Sequence, residues 1–305
     1  MTAQGTTQSE PWTILRLLEW TTEYLKKHGS PSPRLDAEIL LAHARDCPRI
    51  ALYTSFNLEP DEATKATFRE LVKRRAGGEP VAYLVGKKEF YSLEFCVSKD
   101  CLVPRGETEH LVIECLDRAK KLSTENEQHC PRIIDVCTGS GCVAISLAKH
   151  LPKYQVTAID LSPEAIAMAT RNVLLHQLDQ RVQVLQGDLL APVENNSALF
   201  VVSNPPYVSE SEYAALDKSV RDFEPQMALV AGPNGTEIIE RLICQSMEKL
   251  VDHGWLLCEL SPMIADRVEQ LLLQDPHWTN VAITKDLAGL KRIAVAQKSL
   301  SLLSS

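Results

Sequence analysis

From residue 131 onward, short apolar runs alternate with longer amphipathic ones, and this alternation restricts the chain more than any other feature. The runs Arg132–Val136, 155–159, 182–186, 199–203 and 255–260 are rich in Val, Ile and Leu and have the length of strands. Runs at 143–150, 163–176 and 237–250 lie between some of them and carry apolar residues at helical spacing. Strands that alternate with helices imply a parallel sheet covered on both faces, because parallel neighbours need a crossover and the crossover packs back onto the sheet. Two further strands, 279–283 and 291–296, are joined by a short loop holding Ala288-Gly289, which suits an antiparallel hairpin. The expectation is an α/β, Rossmann-like fold with a seven-stranded, mostly parallel sheet.

The first 85 residues follow a different period. Ile14, Leu17, Leu18, Thr21 and Leu25 share one helical face, and Pro11 suits a first helical turn. Ser32-Pro33 opens a second helix carrying Leu35, Ile39, Leu40 and His43, with Cys47-Pro48 at its end. His43, alone on its helix, reads as a structural residue. Pro60-Asp61-Glu62 opens a third helix through Phe68, Leu71 and Val72; its acids favour a helix N-terminus, and Gly77-Gly78-Glu79-Pro80 stops it. Between 84 and 103 the period shortens to two, with Phe90, Leu93, Phe95 and Val97 among polar neighbours, which predicts a hairpin. A helix over 107–121 and a polar stretch over 123–130 precede the sheet. A chain of 305 residues has room for two domains. The division expected is a helical bundle over 1–85, a hairpin linker over 86–103 and the sheet domain over 104–305.

Composition removes several function classes. The net charge of −8 argues against a surface built on phosphate contacts, so direct nucleic-acid binding is not expected. The nine cysteines form no C-x-x-C pair, which leaves neither a zinc knuckle nor a readable disulfide framework and fits a reducing compartment. The polar start of the chain has no apolar core, and no apolar stretch approaches membrane-spanning length. The expected location is the cytoplasm, with no membrane partner.

The first motif with chemical content is Asp135-Val136-Cys137-Thr138-Gly139-Ser140-Gly141, where strand gives way to helix. Glycines at such a turn let a ligand approach the backbone closely. Gly139 to Ala144 also fits the dinucleotide fingerprint G-x-G-x-x-A, so a nicotinamide-dependent dehydrogenase competes at this point. Asp160, about 20 residues on at the end of the second strand, suits ribose hydroxyls under either reading.

The second motif, Asn204-Pro205-Pro206-Tyr207, directly follows the strand 199–203 and separates these readings. Consecutive prolines fix φ and remove backbone donors, so the loop offers carbonyl acceptors in a rigid array. An amide nitrogen is a weak nucleophile because its lone pair is delocalised. The Asn204 side-chain oxygen and the Pro205 carbonyl suit the two N–H bonds of a substrate NH2, and Tyr207 offers a flat face for an amide or a base. A general base is not needed before methyl transfer, since the proton becomes acidic only once the nitrogen is alkylated; positioning then supplies most of the rate. The pattern points to methylation of a planar conjugated nitrogen and leaves glutamine and adenine both open.

Further motifs narrow the choice. Pro33-Arg34-Leu35-Asp36-Ala37-Glu38, Gly78-Glu79-Pro80-Val81-Ala82-Tyr83-Leu84, Glu89-Phe90-Tyr91 and Val103-Pro104-Arg105-Gly106-Glu107-Thr108-Glu109 precede the glycine turn. Phe223-Glu224-Pro225 and Ala231-Gly232-Pro233-Asn234-Gly235 follow the Pro-Pro loop. With that loop, these stretches resemble the HemK/PrmC family of release-factor glutamine methyltransferases over nearly the whole chain. The resemblance implies a class I methyltransferase that uses S-adenosyl-L-methionine, with S-adenosyl-L-homocysteine as product. It also implies that Cys137, Thr138, Gly139, Ser140 and Gly141 line the methionine and ribose end, that Asp160 holds the ribose hydroxyls, and that Asp188 and Leu189 flank the adenine. Asn204, Pro205, Pro206 and Tyr207 would form the catalytic loop, with Asn204 beside both cofactor and substrate. The implied partner is a peptide chain release factor, docked by the N-terminal helices while its Gly-Gly-Gln loop enters the pocket. Methylation of a glutamine in a ribosomal protein, and of adenine N6 in nucleic acid, are the alternatives that share this loop.

Three positions depart from the family pattern. Cys137 stands where glycine is usual and crowds the turn, Gly106 replaces a proline, and Leu260-Ser261-Pro262 replaces Ile-Gly after Glu259. None lies in the Pro-Pro loop, so activity is expected to persist, with cofactor affinity the property most exposed to change.

Overall fold

The computed structural model describes residues 11–122 and 131–300, in two compact units, 1–86 and 87–305. The polar stretch expected over 123–130 lies outside the described residues.

Among its described residues the first unit holds five helices, α1 (Ile14–Lys27), α2 (Pro33–Ala44), α3 (Ile50–Tyr53), α4 (Glu62–Ala76) and α5 (Val81–Val85). Pro11 precedes the first turn rather than sitting in it: the Thr13 side chain caps α1 by accepting the Arg16 N–H at 3.3 Å. Asp61 caps α4 through the Thr64 N–H at 2.7 Å. The predicted faces of α1 and α4 are buried, but α2 is rotated from expectation. Leu35 and His43 are exposed, while Asp36, Ala37, Leu40 and Leu41 are buried. Asp36 turns inward because Arg75 and the Ser30 hydroxyl both reach its Oδ2 at 2.7 Å, and a paired buried acid displaces the apolar register.

The second unit begins with the hairpin β1 (Lys87–Phe90) and β2 (Leu93–Cys96), followed by α6 (Glu109–Leu122). Phe90 and Phe95 lie in its core, edge to face at 6.2 Å. Next come β3 (Arg132–Val136), α7 (Cys142–His150), β4 (Gln155–Asp160), α8 (Pro163–Leu175), β5 (Val182–Gln186) and β6 (Ala198–Ser203). A short parallel pair, β7 (Val208–Ser209) and β8 (Val230–Gly232), brackets α9 (Glu210–Tyr213) and α10 (Lys218–Arg221). Then α11 (Glu237–Lys249), β9 (Leu250–Glu259), α12 (Ala265–Gln274), β10 (Trp278–Lys285) and β11 (Lys291–Lys298) complete it.

Seven strands form one sheet in the order β10-β11-β9-β6-β3-β4-β5, with only β11 running against the rest. The Rossmann-like expectation therefore holds. Its two faces bury separate apolar clusters, centred on α6, α7 and the hairpin on one side and on α11 and α12 on the other. The chain runs outward from β3 through β4 to β5, then returns to place β6 on the other side of β3. Connections leave in opposite directions at that point, which opens a crevice at the carboxyl ends of β3 and β6.

Candidate active site

Val136 at the end of β3 lies opposite Ser203 at the end of β6, and the Ser203 hydroxyl donates to the Val136 carbonyl at 2.7 Å. The glycine turn and the Asn-Pro-Pro-Tyr loop, 67 residues apart at this hydrogen bond, thus start from one point. A cleft of about 240 Å³ opens between them.

The turn is braced from below and from both sides. Asp135, 1% exposed, accepts the Thr138 hydroxyl at 2.6 Å and the Ala144 N–H at 3.0 Å through one oxygen. Burial pushes its carboxyl up to about 7 against the pull of these donors. Asp160 closes β4 and accepts the Gly139 N–H at 2.8 Å and the Ser162 N–H at 3.0 Å, one on each oxygen. Burial raises its carboxyl above the usual range, and backbone donors from Gly139, Ser162 and Leu161 oppose the rise. Asn172 on α8, wholly buried, donates to the Ser140 carbonyl at 2.8 Å and exchanges two hydrogen bonds with the Cys96 backbone. One carboxamide therefore joins the hairpin to the glycine turn. Cys137 adopts φ 59°, a conformation that favours glycine, and its side chain packs toward the second core cluster.

Of the residues singled out from sequence, Cys137, Thr138, Gly139, Ser140, Asp160, Asp188, Leu189, Asn204 and Pro206 line the cleft. Gly141 does not; it packs under the turn, where an added Cβ would lie 3.3 Å from Ala169 and Ile145. Pro205 is buried, and Tyr207 packs against the second core cluster with its hydroxyl donating to Glu259 Oε1 at 3.4 Å. Asp188 is half exposed and paired with Arg241 at 2.6 Å.

Sequence reasoning assigned no role to several wall residues. Arg105 pairs with Glu224, whose side chain is 1% exposed and also accepts the Val103 N–H at 3.1 Å. Thr108 accepts from the Asn204 side-chain nitrogen at 3.0 Å. Pro225, Met227 and Ile238 add apolar wall. Both Arg105 and Glu224 fall inside motifs noted above, but nothing local in either motif shows that they meet.

The wall fits a nucleoside carrying a charged thioether-derived group. A Cβ at Gly139 would project into open space, so backbone alone forms that side of the cradle. The Asp160 carboxylate retains lone pairs for a diol, and Leu189, Val230 and Ile238 supply apolar surface for a flat ring. Among the described residues, no group of His, Cys, Asp or Glu could hold a metal ion.

Known proteins resemble this chain over most of its length. Residues 16–86 match the PrmC N-terminal domain and residues 111–222 the methyltransferase small domain. A release factor glutamine methyltransferase from Rhodopirellula baltica is 52% identical over 295 residues, covering 96% of this chain and 99% of its own length. One of the same description from Koribacter versatilis is 38% identical over 291 residues, covering 95% and 100%. The N-terminal domain of human METTL16 in complex with SAH has a TM-score of 0.50 at 17% identity, covering 98% of each chain, a likeness of fold alone.

Proposed function

The chain belongs to the release factor glutamine methyltransferase family, and from that premise we propose that the cleft between β3 and β6 is where a release-factor glutamine is methylated on its side-chain nitrogen. The protein is a methyltransferase, and the relatives reported above carry the release-factor description. S-adenosyl-L-methionine, when bound, supplies a methyl group on a positively charged sulfur. Gly139, Ser140, Asp160, Asp188 and Leu189 are the residues that would hold it, on the fit described above.

The observation that carries the reading is the fixed carboxamide of Asn204. Its nitrogen is committed to Thr108 at 3.0 Å, which leaves Oδ1 as the end available to an incoming NH2. Pro205 offers the second acceptor through its backbone carbonyl. Together they orient a substrate amide with its lone pair turned out of conjugation, which is where the rate enhancement arises. Tyr207 supports the loop from behind through Glu259. The substrate glutamine is that of a Gly-Gly-Gln loop, a narrow, backbone-rich segment suited to a cleft of this size, with the N-terminal helices docking the rest of the release factor. The cytoplasm is the compartment for such a partner; among the described residues, no helix is long and apolar enough to cross a membrane.

The test is transfer of labelled methyl from S-adenosyl-L-methionine to a purified release factor. Label is expected on the factor, absent when its Gly-Gly-Gln glutamine is replaced by Ala. Asn204→Ala should lower kcat by about 10²-fold or more, as for loss of one preorganised polar contact, and leave S-adenosyl-L-homocysteine binding intact. No label on any release factor overturns the reading.

A further inference from the structure

The peptide units of the glycine turn are not equally held. The Thr138 N–H donates to the Ile159 carbonyl at 3.0 Å, and the Gly139 N–H donates to Asp160 Oδ2 at 2.8 Å. Between Ser140 and Gly141 both ends are taken. The Ser140 carbonyl accepts from Asn172 at 2.8 Å, and the Gly141 N–H donates to the Thr138 carbonyl at 2.9 Å. The unit between Gly139 and Ser140 differs: neither its carbonyl nor its N–H is bonded among the described residues. Both residues line the cleft, so this is the peptide the turn presents to a ligand. Its plane and the plane of the Ser140–Gly141 unit meet at the Ser140 Cα, and only two soft dihedrals separate them. Fixing one plane therefore restricts the other.

Asn172, on α8, does the fixing. It is wholly buried and commits its entire polar inventory: its two N–H bonds go to the Ser140 and Cys96 carbonyls at 2.8 and 2.9 Å, and its oxygen accepts the Cys96 N–H at 2.8 Å. A backbone N–H can only donate, so the Cys96 contact also decides which end of the carboxamide is oxygen. Ala169, one turn earlier on α8, lies 3.3 Å from a Cβ added at Gly141 and limits movement of the turn toward the helix. Cys96 ends β2 and is not on the cleft wall. Packing of β2 on α8 does not by itself require a bond to the turn. His176, just past α8, holds the same strand by donating from Nε2 to the Glu94 carbonyl at 2.9 Å, and it is not on the cleft wall either.

We propose that Asn172 is a positioning residue for cofactor binding: by tying the Ser140–Gly141 peptide to β2, it turns the Gly139–Ser140 peptide toward the cleft and couples cofactor affinity to the hairpin. The proposal rests on the reading of the cleft as the S-adenosyl-L-methionine site. Without the carboxamide, the Ser140 carbonyl has no partner in the core and the peptide is free to rotate. The Ser140 N–H then loses its fixed direction. Coupling works both ways, so a ligand that holds the turn also holds Cys96.

S-adenosyl-L-homocysteine affinity, measured by calorimetry on the full chain, tests the first half of this claim. Asn172→Leu, close in shape and without polar groups, should weaken binding by about tenfold or more, the equivalent of one well-placed hydrogen bond. His176→Ala loosens β2 without touching the turn and should bind as the parent does. Hydrogen exchange of the Cys96 amide tests the second half, read over times in which the β3 amides stay protected so that only local opening counts. With ligand at ~100 times Kd, exchange in the parent should slow by about tenfold or more. A residue that merely packs would open equally often with and without ligand. Parent-like affinity in folded Asn172→Leu, an equal loss in His176→Ala, or Cys96 exchange indifferent to ligand would each overturn the proposal. Should Asn172→Leu not fold, the Cys96 amide decides. Failure of the parent to bind S-adenosyl-L-homocysteine would defeat the reading of the cleft instead.

Discussion

Arg105 and Glu224, 119 residues apart in sequence, form an ion pair in which the carboxylate is 1% exposed and the guanidinium about one third exposed. The pair joins the segment leading into α6 to the loop before β8, and Arg105 and Pro225 both stand on the cleft wall. A buried carboxylate that loses its cation keeps its desolvation cost and is left with the Val103 N–H alone. Arg105→Met should therefore destabilise the protein by roughly 2 kcal/mol, less than for a wholly buried pair because the arginine is partly solvated. Adding Glu224→Gln should restore part of that loss. Urea denaturation of the two single variants and the double variant measures the coupling, and strict additivity would show that the pair contributes little.

Asp160 holds two turns at once, with Gly139 on one oxygen and Ser162 on the other. Asp160→Ala removes both acceptors and the carboxylate facing the cleft. Its expected effect is a loss of S-adenosyl-L-homocysteine affinity of about tenfold or more, from at least one charge-assisted hydrogen bond. Asp160→Asn keeps one acceptor and should fall between the two. Calorimetric titration measures this directly, and affinity unchanged in Asp160→Ala would remove Asp160 from the binding site.

The sheet was legible because each of its strands carries a local signature: the runs of Val and Ile in β3, β4 and β6 are buried on both faces and need no partner to be recognised. The glycine turn and the Pro-Pro loop were legible because backbone conformation is itself local. Helix α12 was not, although Ala265, Val268 and Leu272 share its buried face. It is short, starts at Ile264 without a side-chain cap, and ends at Asp275 without glycine, so its boundary signals reduce to Asp266 in the first turn and Pro276 just past the end. The turn of α2 that buries Asp36 depends on Arg75, 39 residues away. Thr108 lies 96 residues from the Asn204 it contacts. Such pairings are set by tertiary structure and leave no periodic trace in the chain.

Asp135 and Glu259 give the stability of the protein a defined dependence on pH. They are 1% and 2% exposed, and burial pushes each carboxyl up to about 7. A carboxyl raised on folding binds its proton more tightly in the native state, so the associated stability is complete below the unfolded value near 4 and is lost as pH rises through about 7. Asp135→Asn cannot ionise, yet its carboxamide oxygen can still accept from Thr138 and Ala144. The variant should lose a decline of roughly 4 kcal/mol across that interval. Thermal unfolding of parent and variant at a series of pH values separates this contribution from all other titrating groups. A parallel pair of curves would mean that Asp135 does not titrate in this range.

Gly235 bears on the Asn-Pro-Pro-Tyr loop at its Tyr207 end. It adopts φ +81°, and a Cβ there would lie 2.8 Å from the Tyr207 carbonyl and 3.4 Å from the Ser209 nitrogen. Gly235→Ala thus carries two costs, a strained backbone and a collision with backbone that cannot rotate away. Gly289, in the exposed turn between β10 and β11, has nearly the same φ of +79° with nothing within 4 Å of its would-be Cβ. Gly289→Ala carries the backbone cost alone, about 1 kcal/mol, and should leave methyl transfer unaffected. Gly235→Ala should cost about 1–3 kcal/mol beyond that and reduce kcat by at least tenfold, because the loop must shift by a sizeable fraction of an ångström and misplaces Asn204. Measuring stability and kcat for both variants removes the shared strain by subtraction. If the two behave alike, the contact between Gly235 and Tyr207 does not set the loop position.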